Sequence, residues 1–351
     1  MSVNEAKLHE FLGKMVTELG AAANATLVLV GDKLGLYRAI AEAGSVSSRE
    51  LAERTGTSER YVREWLSAQA ASGYVDYDKE KERFSLSPEQ KLAFADENSP
   101  VLLTGGFYSI ASIFADEPKL TEAFKTGKGI AWGDHNGCLF CGVEKFFRPS
   151  YKAHLIQDWI PAIGDAEEKL KRGAQVADVG CGHGVSTLTM AEAYPNSFFV
   201  GFDYHPESIE HARKIAKDAG LKNVSFEVAT AKDYPGEGYD LVTFFDCLHD
   251  MGDPAGAAAH VRETLSPDGS WMIVEPFAGD TLEENLNPVG RVYYAFSTAI
   301  CTPSSLSQEV GAAIGAQAGE KRIGEAVKTG GFSRFRRATE TPFNLVLHAQ
   351  P

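Results

Sequence analysis

The chain has 351 residues, 44% hydrophobic and 23% charged, with a formal net charge of −14. That length supports two domains with cores of their own. The acidic balance argues against a general affinity for nucleic acid or anionic membrane, both of which need basic surface. No basic, apolar leader pattern opens the chain, and its most apolar early run, Ala25 to Val30, is far short of the roughly 20 residues that span a bilayer. A soluble, cytoplasmic protein is therefore expected. Five cysteines make no disulfide framework. Cys138 and Cys141 form a lone C-x-x-C with His135 upstream, but no second pair completes a closed zinc site. Reduced thiols and no bound metal are expected.

In chain order, Leu8, Phe11, Leu12, Met15 and Leu19 recur at helical spacing, which predicts an amphipathic helix over residues 1 to about 20. Its apolar face needs a partner, either another subunit or another part of the chain. A second helical pattern runs from Ala21 to Ala43, interrupted at Gly35. Ser47 and Glu50 have the spacing of a capping box and open a short helix ending at Gly56. A further helix follows from Glu59 to Ser72, stopped by Gly73, with Tyr61, Val62, Trp65 and Leu66 assigned to its buried side. Tyr74–Tyr77 and Phe84–Leu86 flank a charged turn and read as a hairpin. The set is a winged helix-turn-helix. Its candidate recognition helix balances Arg60 and Arg63 against Glu59 and Glu64, so it offers little net neutralisation of phosphate.

Residues 96–170 read as a helical connector, with Trp132, His135 and an aromatic group at Phe140, Phe146, Phe147 and Tyr151 that could line a pocket or pack between domains. Ala153 to Leu170 is expected to be helical.

Gln175–Met190, QVADVGCGHGVSTLTM, passes from an apolar strand through a glycine turn into a helix. Exposed amides at a helix start, next to glycines that admit close approach, make a nucleotide-type site. The spacing Asp178-x-Gly180-x-Gly182-x-Gly184 differs from the dinucleotide fingerprint Gly-x-Gly-x-x-Gly and favours a ligand with a carboxylate and a ribose. Nineteen residues after Gly184, Asp203 ends a second strand, where an acid can accept from both ribose hydroxyls. Tyr204 follows it and could pack on an adenine, and Val224 to Ala229 reads as a third strand. The fourth strand, Tyr239–Phe245, leads into Asp246-Cys247-Leu248-His249-Asp250, a polar run where ligands bind in open α/β sheets. The fifth, Ser270–Glu275, ends in another acid. Residues 277–330 read as an insertion with Arg291, Tyr293 and Tyr294 as candidate substrate contacts. Strands from Gly331 to Arg337 and Pro342 to Ala349 could pair as a closing antiparallel hairpin, which a dinucleotide fold does not have.

The segments "FFRPSY", "VADVGCGHGVSTLTMA", "GFDYHPESIEHAR", "FDCLHDMGDP" and "NPVGRVYYAFSTAICTPSSLSQEVG" resemble the class I S-adenosylmethionine (SAM) methyltransferases with an N-terminal winged helix, the Rv2258c-like group. The resemblance covers nearly the whole chain. It implies a Rossmann-like α/β sheet of seven strands, the last antiparallel, behind a mainly α winged-helix domain. It divides the chain into residues 1–95 for dimerisation and as a lid, the connector 96–170, and a SAM-binding domain 171–351 containing the 277–330 insertion. SAM is the implied cofactor and S-adenosylhomocysteine the product, with a small-molecule acceptor, a homodimer and no nucleic acid or membrane partner. The cofactor set is then Asp178, Gly180, Gly182, Gly184, Asp203, Tyr204, Thr230, Ala231, Asp246 and Tyr151. Trp132, His135, Arg291, Tyr293 and Tyr294 are the substrate set. "CLHDMGDP" is also distantly similar to the Leu-His-Asp-Trp segment of plant-type O-methyltransferases, with Met251 in place of Trp. That similarity implies His249 as the base, assisted by Asp250 and Glu275, and oxygen as the acceptor atom. The alternatives are a SAM-responsive regulator that uses the winged helix on DNA, and transfer to nitrogen or carbon.

Overall fold

The computed structural model describes residues 3–351, and the chain falls into two compact units: Met1–Phe114 with Gly137–Pro149, and Ala115–Asn136 with Ser150–Pro351.

In the first unit a single helix runs Glu5–Lys33, without the break expected near residue 20. Gly20 is followed by three alanines, the strongest helix formers, and nothing crowds the glycine. The first two residues of the expected helix lie outside the described ones. The helix buries only Asn24, Ala25, Val28 and Gly31. A Cβ on Gly31 would lie 2.4 Å from Trp65 and 2.7 Å from Tyr37, so glycine sets how closely this helix meets its neighbours. A buried polar chain adds direction: Tyr37 Oη donates to Gln69 Oε1 (2.7 Å) and Gln69 Nε2 donates to Asn24 Oδ1 (2.7 Å). Gly35, at φ +68°, turns the chain into helix Leu36–Ala43.

Helices Ser48–Thr55 and Glu59–Ala71 follow, the first opened by the Ser47–Glu50 capping box. Of the residues assigned to the buried side of the second, Val62, Trp65 and Leu66 are buried, whereas Tyr61 is 81% exposed. Strands β1 (Ser45–Val46), β2 (Asp76–Asp78) and β3 (Arg83–Ser85) form the wing in the order β1-β3-β2. Arg60 and Arg63 each bridge a glutamate one turn away, Glu64 and Glu59, both at 2.6 Å.

The second unit is built on a seven-stranded sheet: β4 (Gln175–Val179), β5 (Phe198–Asp203), β6 (Val224–Val228), β7 (Tyr239–Phe245), β8 (Leu265–Pro276), β9 (Arg334–Glu340) and β10 (Asn344–Gln350). The order is β6-β5-β4-β7-β8-β10-β9, with β10 antiparallel to both neighbours. The chain runs outward from β4 through β5 to β6 and then returns to β7 on the other side of β4. That reversal opens a crevice at the carboxyl ends of β4 and its neighbours, the usual ligand position in such sheets.

Three details depart from the sequence reading. Residues 151–172 are not one helix: a π-helical stretch, Tyr151–Trp159, and a short turn at Ile160–Ala162 precede helix Ala166–Arg172. Pro161 lacks an amide donor, and Gly164 takes a left-handed φ of +52°. Strand β8 starts five residues early, because Leu265 already pairs with Tyr239. Within residues 277–330, the last part is helix Gly319–Thr329, which buries Ile323 and Val327 in the sheet's core beside Val261, Trp271 and Leu347. Among the described residues, no single helix is long and apolar enough to cross a membrane.

Candidate active site

The crevice starts at the glycine loop. Gly180, Gly182 and Gly184 have φ of +74°, +52° and +80°, which only glycine adopts readily. Two of them are also required by packing: a Cβ would meet Cys247 Sγ at 2.7 Å from Gly180, and Phe226 at 2.7 Å from Gly184. At Gly182 a Cβ would meet nothing, so the main chain there faces open space that a ligand can approach.

Asp178 lies beneath this loop with no exposed surface. Its Oδ2 accepts from Ser186 Oγ (2.7 Å) and Thr187 Oγ1 (2.6 Å), and its Oδ1 from Thr243 Oγ1 (2.9 Å). Burial raises its proton affinity to about 6, against the pull of the three hydroxyls. The carboxylate braces the loop from behind. Asp203, at the end of β5, accepts from Gly182 N through Oδ2 and from His205 N through Oδ1, both at 2.9 Å. Tyr204 beside it is 45% exposed, and its hydroxyl oxygen accepts from the Trp132 main chain.

Thr230 and Ala231 follow β6 in a tight turn. Asp233 Oδ1 accepts from both Thr230 N (2.8 Å) and Thr230 Oγ1 (2.7 Å). The Asp233 carboxylate is thus folded back on its own turn.

The chain leaves β7 at Asp246, whose φ of +50° is left-handed, and Asp246 N donates to Val274 O (2.7 Å). Its carboxylate accepts from Tyr151 Oη (3.0 Å) and Asn344 Nδ2 (3.2 Å). Burial and the nearby Glu275 charge hold it well above the ordinary carboxylate range. A turn of 3₁₀ helix, Leu248–Asp250, then carries His249, 3% exposed. Both oxygens of Glu275, at the end of β8, are engaged with this turn: Oε1 accepts from Leu248 N (2.9 Å) and Oε2 meets His249 Nδ1. His249 Nε2 points the other way, 3.1 Å from Asp250 Oδ1. Burial disfavours the imidazolium, but Asp250 and Glu275 outweigh it, so the ring's proton affinity is well above its ordinary value. Asp253 caps the next helix, accepting from Gly256 N at 2.8 Å.

The substrate candidates are dispersed. His135 is buried, with Nδ1 on Asp116 Oδ2 (3.2 Å), and desolvation lowers its proton affinity. Trp132 is half-buried next to it. Tyr293 is turned inward and its hydroxyl donates to Phe343 O (2.9 Å). Tyr294 instead lines a separate cavity of about 600 Å³ with Asp280, Ser297, Thr302 and Arg322. Arg291 is exposed. Phe146 lies on helix Cys138–Ser150, edge-on to Phe147. Sequence reasoning missed Cys301, which is buried beside His249 and Asp250; nothing in its local sequence sets it apart.

What the arrangement offers is a glycine cradle with Asp203 at Gly182 and, beyond the end of β7, an imidazole fixed between Glu275 and Asp250. A family model for a methyltransferase domain matches residues 170–319, and one for an Rv2258c-like winged helix-turn-helix domain matches residues 22–95. The chain is 28% identical over 122 residues to the uncharacterised methyltransferase YcgJ of Bacillus subtilis, covering 34% of this chain and 47% of that one. It thus spans about half the length of the curated relatives it matches. Its fold is similar to a structure from Nostoc punctiforme provisionally assigned as an O-methyltransferase (TM-score 0.71, 19% identity, 97% and 98% of the two chains). It is also similar to human N-acetylserotonin methyltransferase in complex with SAM (TM-score 0.68, 15% identity, 100% and 99%).

Replacing Glu275 by Gln removes the negative charge at Nδ1 but keeps the side chain's size. The His249 imidazole is then expected to titrate at lower pH than in the parent chain, read from its ring protons by NMR.

Proposed function

We propose that this chain, which belongs to the SAM-dependent methyltransferases and pairs a methyltransferase domain with an Rv2258c-like winged helix-turn-helix, transfers the methyl group of SAM to a hydroxyl of a small molecule and leaves S-adenosylhomocysteine. The observation that carries this reading is the charge of the crevice. Asp203 holds the glycine loop at Gly182 N, and Asp250 and Glu275 flank the His249 ring beyond the end of β7, so acids outnumber bases there. Such a site suits a ligand with cationic sulfonium and ammonium groups and repels a pyrophosphate, which disfavours a dinucleotide.

SAM supplies, when bound, an electrophilic methyl on sulfur. The residues that would hold it are the Gly180–Gly184 loop, Asp203, Tyr204 and the Asp246–Tyr151 pair. Asp178 acts behind the loop as a positioning residue. His249 takes the acceptor's hydroxyl proton on Nε2, because Glu275 holds Nδ1 and fixes the ring. General-base help of this kind is typically worth about 10²–10⁴-fold, and orientation of the acceptor supplies the rest. Trp132 and His135 border the acceptor space on this reading, while Tyr293 supports its wall. The base works only when deprotonated, and its two carboxylates raise the affinity of the ring for its proton. The kcat/KM of an identified acceptor should therefore rise with pH across neutrality and level off above the ordinary imidazole range; a profile flat from pH 6 to 9 would remove His249 from this role. Calorimetry tests the cofactor separately. Asp203→Ala should weaken SAM binding by about tenfold or more, as expected for loss of hydrogen bonds to a charged group, and unchanged affinity would sink the assignment.

The apolar stripe of helix Glu5–Lys33 supports a homodimer. Phe11, Leu12, Val16 and Leu19 are 58%, 48%, 68% and 67% exposed along one side. Sedimentation should give a dimer for the parent chain and a monomer for a Leu12→Glu, Leu19→Glu double variant. The paired Arg60 and Arg63 favour this use of the domain over DNA binding.

A further inference from the structure

The proton transfer makes no use of Cys301. This thiol ends the π-helical turn Ser297–Cys301, 6% exposed, and reaches the same point as the base. One ligand atom each from His249, Asp250 and Cys301 lie within 4.8 Å of one another. We propose that His249 Nε2, Asp250 Oδ1 and Cys301 Sγ form a binding site for a single thiophilic divalent cation of the zinc class, which competes with the proton at Nε2 and so regulates the base. The regulatory consequence rests on the methyltransferase reading; the site itself does not.

Four observations carry it. The ligand set is imidazole, carboxylate and thiol, which selects zinc-like ions over magnesium or calcium. The spacing is right: His249 Nε2 and Asp250 Oδ1 are 3.1 Å apart, close to the ~3.3 Å edge of a tetrahedron with metal–nitrogen and metal–oxygen bonds of about 2.0–2.1 Å. Asp250 Oδ1 is buried and makes no hydrogen bond of good geometry, its near polar neighbour being the ring nitrogen at 3.1 Å, so an ion between the two would complete it. Finally, the outer shell is built. His249 Nδ1 is held by Glu275, itself fixed by Leu248 N, which is the carboxylate–histidine arrangement that orients metal-binding imidazoles.

Three protein ligands leave a fourth position for water or the acceptor's oxygen. Asp250 keeps 21% of its side chain exposed and gives the ion a way in. On uptake the Cys301 S–H proton leaves to solvent and a sulfur–metal bond replaces it. Any proton on Nε2 leaves the same way, with no change in oxidation state.

Cobalt(II) titration of the chelator-stripped full chain tests this without cofactor or substrate. One equivalent should bind with a thiolate-to-cobalt charge-transfer band and the intense ligand-field bands of a tetrahedral ion. Cys301→Ser should abolish the charge-transfer band, whereas Cys141→Ser, at an exposed thiol, should leave it intact. Glu275→Gln, outside the coordination sphere, should weaken cobalt binding about 10–100-fold. Should Cys301→Ser fail to fold by circular dichroism, Asp250→Asn carries the test through loss of affinity and a shift of the ligand-field bands. Absence of a charge-transfer band in the parent chain, or its survival in Cys301→Ser, overturns the proposal. A chain that binds cobalt in this way yet neither binds SAM nor methylates keeps the site and loses only the methyl-transfer reading.

Discussion

Everything at the crevice depends on one buried carboxylate. Asp178 has no contact with solvent, and an unpaired charge there would be strongly disfavoured. The three hydroxyls of Ser186, Thr187 and Thr243 compensate it. They come from the helix that follows the glycine loop and from β7, so a single group ties β4, the loop's exit and the neighbouring strand together. The loop's left-handed glycines can then be held open toward a ligand without any ligand to order them.

The turn that carries His249 is organised by strand register. β7 and β8 run parallel with Phe245 opposite Val274, so Asp246 comes level with the end of β8 and its amide donates to Val274. Glu275, one residue on, faces the turn that follows and holds both Leu248 N and the His249 ring. A slip of one residue in this pairing would move Glu275 to the other face of the sheet and release the imidazole. The same constraint gathers negative charge near one histidine, which suits a cationic cofactor and makes the ring a reluctant proton donor. It also brings Cys301 and Asp250 to the ring nitrogen that Glu275 does not hold.

The first unit uses its charges differently. Arg60 and Arg63, the residues a recognition helix would turn toward phosphate, are each bridged to a glutamate on their own helix. Meanwhile the long N-terminal helix leaves its large apolar side chains in solvent. A helix-turn-helix with balanced charge next to an uncovered apolar stripe is better equipped for association through hydrophobic area than for counterion release.

Local chemistry makes much of this legible in the amino-acid sequence. The strand, glycine loop and helix at 175–190, the Ser47–Glu50 capping box, the wing and the closing hairpin follow from glycine's φ range, cap geometry and hydrophobic period, all of which act within a few residues. The acids at strand ends are legible for the same reason. Other features depend on partners far along the chain. Asp178 reads as a ligand contact until Thr243 is placed beside it, and Tyr293 as a substrate contact until Phe343 accepts its hydroxyl. Helix Gly319–Thr329 reads as insertion until the sheet's core covers Ile323. The sequence by itself determined the family, the sheet and the glycine loop, because those rest on short-range backbone preferences. Only the tertiary structure decided which hydroxyls and amides each carboxylate meets, which nitrogen of His249 Glu275 holds, and that Cys301 stands beside the ring, because these depend on strand register and on residues brought together from distant parts of the chain.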